Sequence, residues 1–92
     1  MLKDLVVVET AGVLAGPAVG MFFAELGATV IKLENRRAGG DVTRKWKLPA
    51  EDPASPVSAY FSSVNWGKEH RMVDLATPED RAAFDGLIAT AD

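Results

Sequence analysis

Residues 5–41 read in order as an apolar strand, a glycine-rich turn, an apolar helix, a second strand and a basic loop. Few architectures other than a parallel α/β sheet accommodate that succession. The run 5–8, Leu followed by three valines and bounded by a Gly/Pro cluster, has the character of a parallel strand buried on both faces. Glu9 and Thr10 end it, and residues 11–16 form a loop at its carboxyl end, where open α/β sheets place their ligands. Gly12 and Gly16 suit a sharp turn with room for a ligand against the backbone. Pro17 is pre-set for the first helical position, since only an unpaired N–H is lost there. Val19, Phe22, Phe23 and Leu26 share a helical face, Gly27 suits a left-handed cap, and residues 28–33 form the second strand.

The glycines stand at 12, 16 and 20, which is G-x-x-x-G-x-x-x-G and not the G-x-G-x-x-G of dinucleotide-binding turns. Glu34 does end the second strand, where the ribose-binding acid of such a domain sits. Pro17, however, occupies the helix start whose backbone N–H groups would meet a pyrophosphate. A nicotinamide- or flavin-binding module is therefore carried as the alternative reading. A non-catalytic association domain is a third.

Charge is distributed unevenly. The net charge is only −3, yet eight of the ten Lys and Arg residues lie between Lys32 and Arg71. Six of those fall in 32–47 against Glu34 and Asp41 alone, a stretch that suits a phosphate-bearing ligand as well as a solvated loop. The absence of cysteine excludes disulfides and thiolate metal sites, and no metal site is expected. No secretory signal pattern or membrane-length apolar run is present, so the expected setting is the cytoplasm, with neither membrane nor nucleic acid as partner.

Pro49, Pro53 and Pro56 exclude a continuous helix or central strand from 35–57, where Trp46 is expected to bury its ring as an anchor. Residues 58–64 fit a helical turn or an extended segment equally. Asn65-Trp66-Gly67-Lys68 reads as a turn, with Gly67 free to take positive φ, and 71–75 as a third strand. Thr77-Pro78-Glu79-Asp80 is a helix start: a hydroxyl cap, a proline and two acids against the helix dipole. Phe84, Leu87, Ile88 and Ala91 supply that helix's apolar stripe. The only histidine, His70, lies in a charged turn and is expected in solvent, as are Glu9 and Glu34 at their strand ends. No nucleophilic triad can be assembled.

Several ordered blocks carry a resemblance. Val13-Leu14-Ala15-Gly16-Pro17, then Glu25 through Glu34 (ELGATVIKLE), then Gly39-Gly40-Asp41-Val42-Thr43-Arg44 resemble the start of class III CoA-transferases. Ser58-Ala59-Tyr60-Phe61, Asn65-Trp66-Gly67-Lys68 and Asp74-Leu75-Ala76-Thr77-Pro78-Glu79 continue it over nearly the whole chain. The resemblance implies a Rossmann-like parallel sheet with flanking helices, incomplete here, residues 1–92 being the amino-terminal CoA-binding portion of a larger dimeric enzyme. That enzyme would transfer CoA from an acyl-CoA to a carboxylic acid acceptor, or racemise an acyl-CoA, with no tightly bound cofactor. Its aspartate nucleophile would lie outside this chain, which then holds no catalytic residue and, alone, is inactive and self-associating.

Carried over by position, Val13 lies against CoA through its backbone. Arg36 or Arg37, competing because Asn35 is one extra residue, contacts the nucleotide end, Val73 lies near the adenine, and Lys68 is a further candidate. Ala76 stands where formyl-CoA transferase has a lysine, and Leu14 where it has a catalytic glutamine, which argues against formyl-CoA:oxalate specificity.

Overall fold

The computed structural model describes residues 1–92. Strand β1 (Val6–Glu9) leads to helix α1 (Ala15–Glu25) and strand β2 (Thr29–Asn35). Two short 3-10 turns, Arg36–Ala38 and Val42–Lys45, precede helix α2 (Ala59–Ser63), strand β3 (Glu69–Val73) and helix α3 (Pro78–Thr90). The sheet is parallel throughout, in the order β1-β2-β3. The expected α/β class, a parallel sheet with flanking helices, is what forms. No helix is long and apolar enough to cross a membrane.

Strand β2 is central and carries the core: Val30, Ile31 and Leu33 are buried, with Phe61 and Val64 from the α2 region. The valines of β1 are only half-buried, contrary to a strand covered on both faces. Its outer edge meets just the end of the chain, where Asp92 N–H donates to Val6 O and Val6 N–H to Asp92 Oδ2, each at 2.9 Å.

Helix α1 begins at Ala15, so Pro17 is its third residue and not its first. The proline is still tolerated, because first-turn N–H groups have no intrahelical acceptor. The helix presents its small side to the sheet: Pro17 and Gly20 are buried, whereas Val19 and Phe22 are 58% and 57% exposed. Half of the expected apolar face is thus outside, while Phe23 and Leu26 are half-buried. Gly20 explains why, since a Cβ there would lie 1.8 Å from Glu9 Oε1.

Gly27 and Gly67 take the expected positive φ, +97° and +80°. In the loop after β1, neither Gly12 nor Gly16 does; Val13 does, at +70°. Residues 58–64 resolve as a helix because Ser58 caps it, its hydroxyl accepting the Phe61 N–H and donating to Thr43 O. Strand β3 starts two residues earlier than expected. Thr77 caps α3 as anticipated, accepting the Asp80 N–H. Phe84, Leu87 and Ala91 are half-buried there, but Ile88 is exposed. Trp46 is also half out of the core, its ring edge-on to Tyr60 at 5.2 Å.

Candidate functional site

The carboxyl ends of the three strands open onto one crevice. Register places Glu9 of β1 beside Lys32 of β2, and Asn35 of β2 beside Val73 of β3. The β-strand alternation then turns Lys32 and Glu34 to the same side as each other. All four residues from Ile31 to Glu34 are buried.

Under the loop after β1 lies a buried charge cluster. Lys32 Nζ donates to Glu9 Oε2 at 3.0 Å and to Ala11 O at 2.9 Å, and sits 3.0 Å from Asp41 Oδ2. Lys68 Nζ reaches both Glu9 oxygens at 2.8 and 3.0 Å, Pro17 O at 2.8 Å and Asn65 Oδ1 at 2.8 Å. Two cations face two anions, so the cluster is neutral and its donors are consumed internally. This corrects two expectations. Lys68 is wholly buried and holds the fold together instead of reaching for phosphate. Glu9 is not a solvated strand end.

A second cluster surrounds Glu34, likewise expected in solvent and found buried. Arg44 grips it with both arms, Nε to Oε1 and Nη2 to Oε2, each at 2.7 Å, while its guanidinium lies 4.0 Å over the Phe61 ring. The Asp41 N–H donates to Oε1 at 2.8 Å. His70 is not in a charged turn but in β3, with Nδ1 3.3 Å from Glu34 Oε2 and its ring against Phe61. So engaged, Glu34 is in no position to bind a ribose, which removes the main support for a nicotinamide site.

Burial pushes Glu34 upward, but the bonds from Arg44 and the Asp41 N–H outweigh it and leave the carboxyl below its ordinary 4.5. Asp41 behaves alike: burial raises it, and the Thr43 N–H and hydroxyl with Lys32 bring it below 3.8. Folded values below unfolded ones mean stability fully present above the unfolded pKa and lost as pH falls through the folded one. Denaturant midpoints should therefore hold steady from about pH 7 to about pH 5 and fall steeply toward about pH 3. A midpoint unchanged at the acid end would show these carboxylates to be unpaired in solution.

Beside Glu34 the crevice widens into a cleft of about 370 Å³ lined by Thr10, Leu33, Arg37, Val73, Leu75 and Ala76 among others. That is within the range of small-molecule sites. Arg37 and Val73, both candidates from the sequence, are brought together here. Arg37 Nε donates to Asp74 Oδ2 at 2.7 Å, and its two Nη groups make no hydrogen bond within the chain. The Ala76 N–H, together with Arg37, holds the Asp74 carboxyl below its usual value. Arg36 pairs through Nη2 with Asp80 at 2.5 Å and does not line the cleft. Val13 lies on the loop after β1, 39% exposed, next to a smaller recess of about 160 Å³ that adjoins the cleft at Thr10 and Leu33.

The chain is 44% identical over 94 residues to the succinate–glutarate CoA-transferase of Agrobacterium fabrum and 42% identical over 92 residues to the succinyl-CoA:mesaconate CoA-transferase of Haloarcula hispanica. Each alignment takes in 99% of this chain and 23% of the relative. The crystal structure of a CAIB/BAIF family protein from Brucella suis superposes with a TM-score of 0.82 at 40% identity, over 98% of this chain and 24% of that one. The chain thus spans about a quarter of the length of the proteins it matches. The sequence profile of CoA-transferase family III matches residues 2–92, and with sequence, sheet order and profile in agreement the chain belongs to that family.

Proposed function

We propose that these residues form the CoA-binding amino-terminal part of an acyl-CoA:carboxylate CoA-transferase, with the cleft at Arg37 and Val73 receiving the nucleotide end of CoA. The supporting observation is the pairing of an apolar wall with a cation whose Nη donors are free, at the carboxyl edge of a parallel sheet. Leu33, Val73 and Ala76 offer the base an apolar surface, and the planar guanidinium offers a phosphate two parallel donors. Asp74 fixes the arginine through Nε without occupying those donors.

In this reading, chemistry is supplied by residues outside the chain. A carboxylate nucleophile, an aspartate in the enzymes resembled, attacks the thioester carbonyl; a C–O bond forms, the C–S bond breaks and CoA thiolate departs. The thiolate then attacks the aspartyl carbonyl of that anhydride, forming an aspartyl–CoA thioester and releasing the donor carboxylate. The acceptor carboxylate displaces CoA thiolate to form a second anhydride, and the thiolate attacks its acceptor carbonyl, giving the new acyl-CoA and restoring the aspartate. Relatives named for succinate, glutarate and mesaconate favour short dicarboxylic thioesters as the substrate class.

Calorimetric titration of the chain with CoA, and separately with NADH, tests the proposal. CoA should bind and NADH should not. Arg37→Ala should weaken CoA about 10-fold or more, because a hydrogen bond to a charged group is worth roughly 1.5–3 kcal/mol. Comparable NADH affinity, or CoA affinity indifferent to Arg37, would overturn it.

A further inference from the structure

We infer that the buried quartet Glu9, Lys32, Asp41 and Lys68 is a positioning network that presets the loop after β1, holding Val13 in its left-handed backbone beside the crevice. The inference rests on the binding reading above and assigns a task to residues that no ligand would touch.

Val13 is the starting point. It is the only non-glycine residue with positive φ, and it is β-branched, the side-chain type that sterics disfavour most in that region. Backbone held in such a basin needs surroundings that over-determine it, and such residues cluster at ligand sites. The surroundings are visible. Lys32 Nζ donates to Ala11 O, the Asp41 carboxylate lies beneath Gly12, and Asp41 Oδ1 takes the Val13 N–H in a long bond of 3.4 Å. Lys68 Nζ donates to Pro17 O in the first turn of the helix that follows the loop. Three side chains, none more than 2% exposed, thus hold the loop at Ala11 and Val13 and the helix that follows it at Pro17.

The quartet is not itself a ligand site. Its charges cancel, and both ammonium groups are filled by protein acceptors. Asp41 Oδ2 makes no hydrogen bond and contacts Lys32 only through charge. What holds that carboxylate in place is its other oxygen, which accepts the Thr43 N–H at 3.0 Å and the Thr43 hydroxyl at 2.8 Å. The geometry therefore runs from Thr43 through Asp41 to the Val13 amide.

The test is a double-mutant cycle between positions 41 and 13, read in two ways. In the first, NMR records the intraresidue HN–Hα cross-relaxation of residue 13, which is strong when φ is positive, without any ligand. Asp41→Ala, which removes the acceptor, should abolish the strong signal at Val13. In the second, CoA affinity is measured: Asp41→Ala should weaken it at least ~10-fold with Val13 present and less than ~3-fold beside Val13→Gly, since glycine reaches positive φ unaided. Thr43→Val, which removes only the hydroxyl donor, should shift both readouts the same way by less, and serves if Asp41→Ala fails to fold. A Val13 signal that survives in Asp41→Ala and Thr43→Val, or equal affinity losses in both backgrounds, would overturn the inference. A wild-type chain that binds no CoA would remove the binding reading, and the NMR signal would still decide whether Asp41 holds Val13.

Discussion

Gly20→Ala is expected to cost about 3–5 kcal/mol, enough to unfold much of the population, because it forces apart a buried ion pair. The added Cβ would stand 1.8 Å from Glu9 Oε1, 3.0 Å from Glu9 Cδ and 3.3 Å from Lys68 Cε. A flexible carboxylate on a surface would swing away. Glu9 has nowhere to go, since Lys32 and Lys68 hold both of its oxygens. Helix α1 would have to lift from β1 instead, and the loop after β1 would move with it. Gly86 is the internal control: nothing lies within 4 Å of a Cβ there, and it sits in the exposed helix α3. Gly86→Ala should stabilise by roughly 0.5–1 kcal/mol through helix propensity alone. Denaturant unfolding of both variants reads the contrast; similar midpoints for the two would show that α1 does not pack as described.

This contrast also shows what could be seen in advance. The strand–turn–helix–strand order was legible because apolar runs and Gly/Pro punctuation report directly on backbone geometry, and the Thr77-Pro78 start of α3 formed as read. The G-x-x-x-G-x-x-x-G spacing was legible too, but its cause was not. A glycine row on a helix can admit a ligand, tighten a turn or let the helix lie close on a sheet. Gly20 does the last, with Glu9 Oε1 in the way of any side chain, while Gly16 lets the start of the helix lie against the loop at Ala11.

Glu9 and Glu34 end their strands and are for that reason expected in solvent; one step of charge pairing overturns this for Glu9. Lys32 interrupts the apolar run of a strand that must be central, and a lysine buried there needs an anionic neighbour. In a parallel pair with β1 the register partner is Glu9. That much was available from the sequence. Lys68 and Asp41 were not, because 59 residues separate Lys68 from Glu9 and only the folded chain sets their distance. Of the sites suggested by resemblance, Arg37 and Val73 share a cleft because they lie at the ends of neighbouring strands; Lys68 points into the Glu9 cluster, and a turn motif does not say which way its lysine points.

Glu9→Gln should also cost about 3–5 kcal/mol, and for a reason separable from packing, because the substitution keeps the side chain's size. It leaves two buried ammonium groups with Asp41 as the one remaining anion. Lys68 already has its pKa lowered by burial, with Glu9 pulling the other way. Removing Glu9 removes that counterweight and drives the folded pKa further down. For a lysine whose folded value is depressed, the unfolded chain binds more protons, so stability rises with pH between the folded and unfolded values. The variant's deficit relative to wild type should therefore be largest on the acid side and shrink as pH climbs through the wild-type folded value, which lies below the ordinary 10.5. Adding Lys68→Met, which keeps the aliphatic stem and discards the charge, should recover part of the loss at neutral pH. If Glu9→Gln proved nearly neutral, or the double variant were less stable than the single one, the cluster would not be held by charge, and the loop above it would owe its shape to something else.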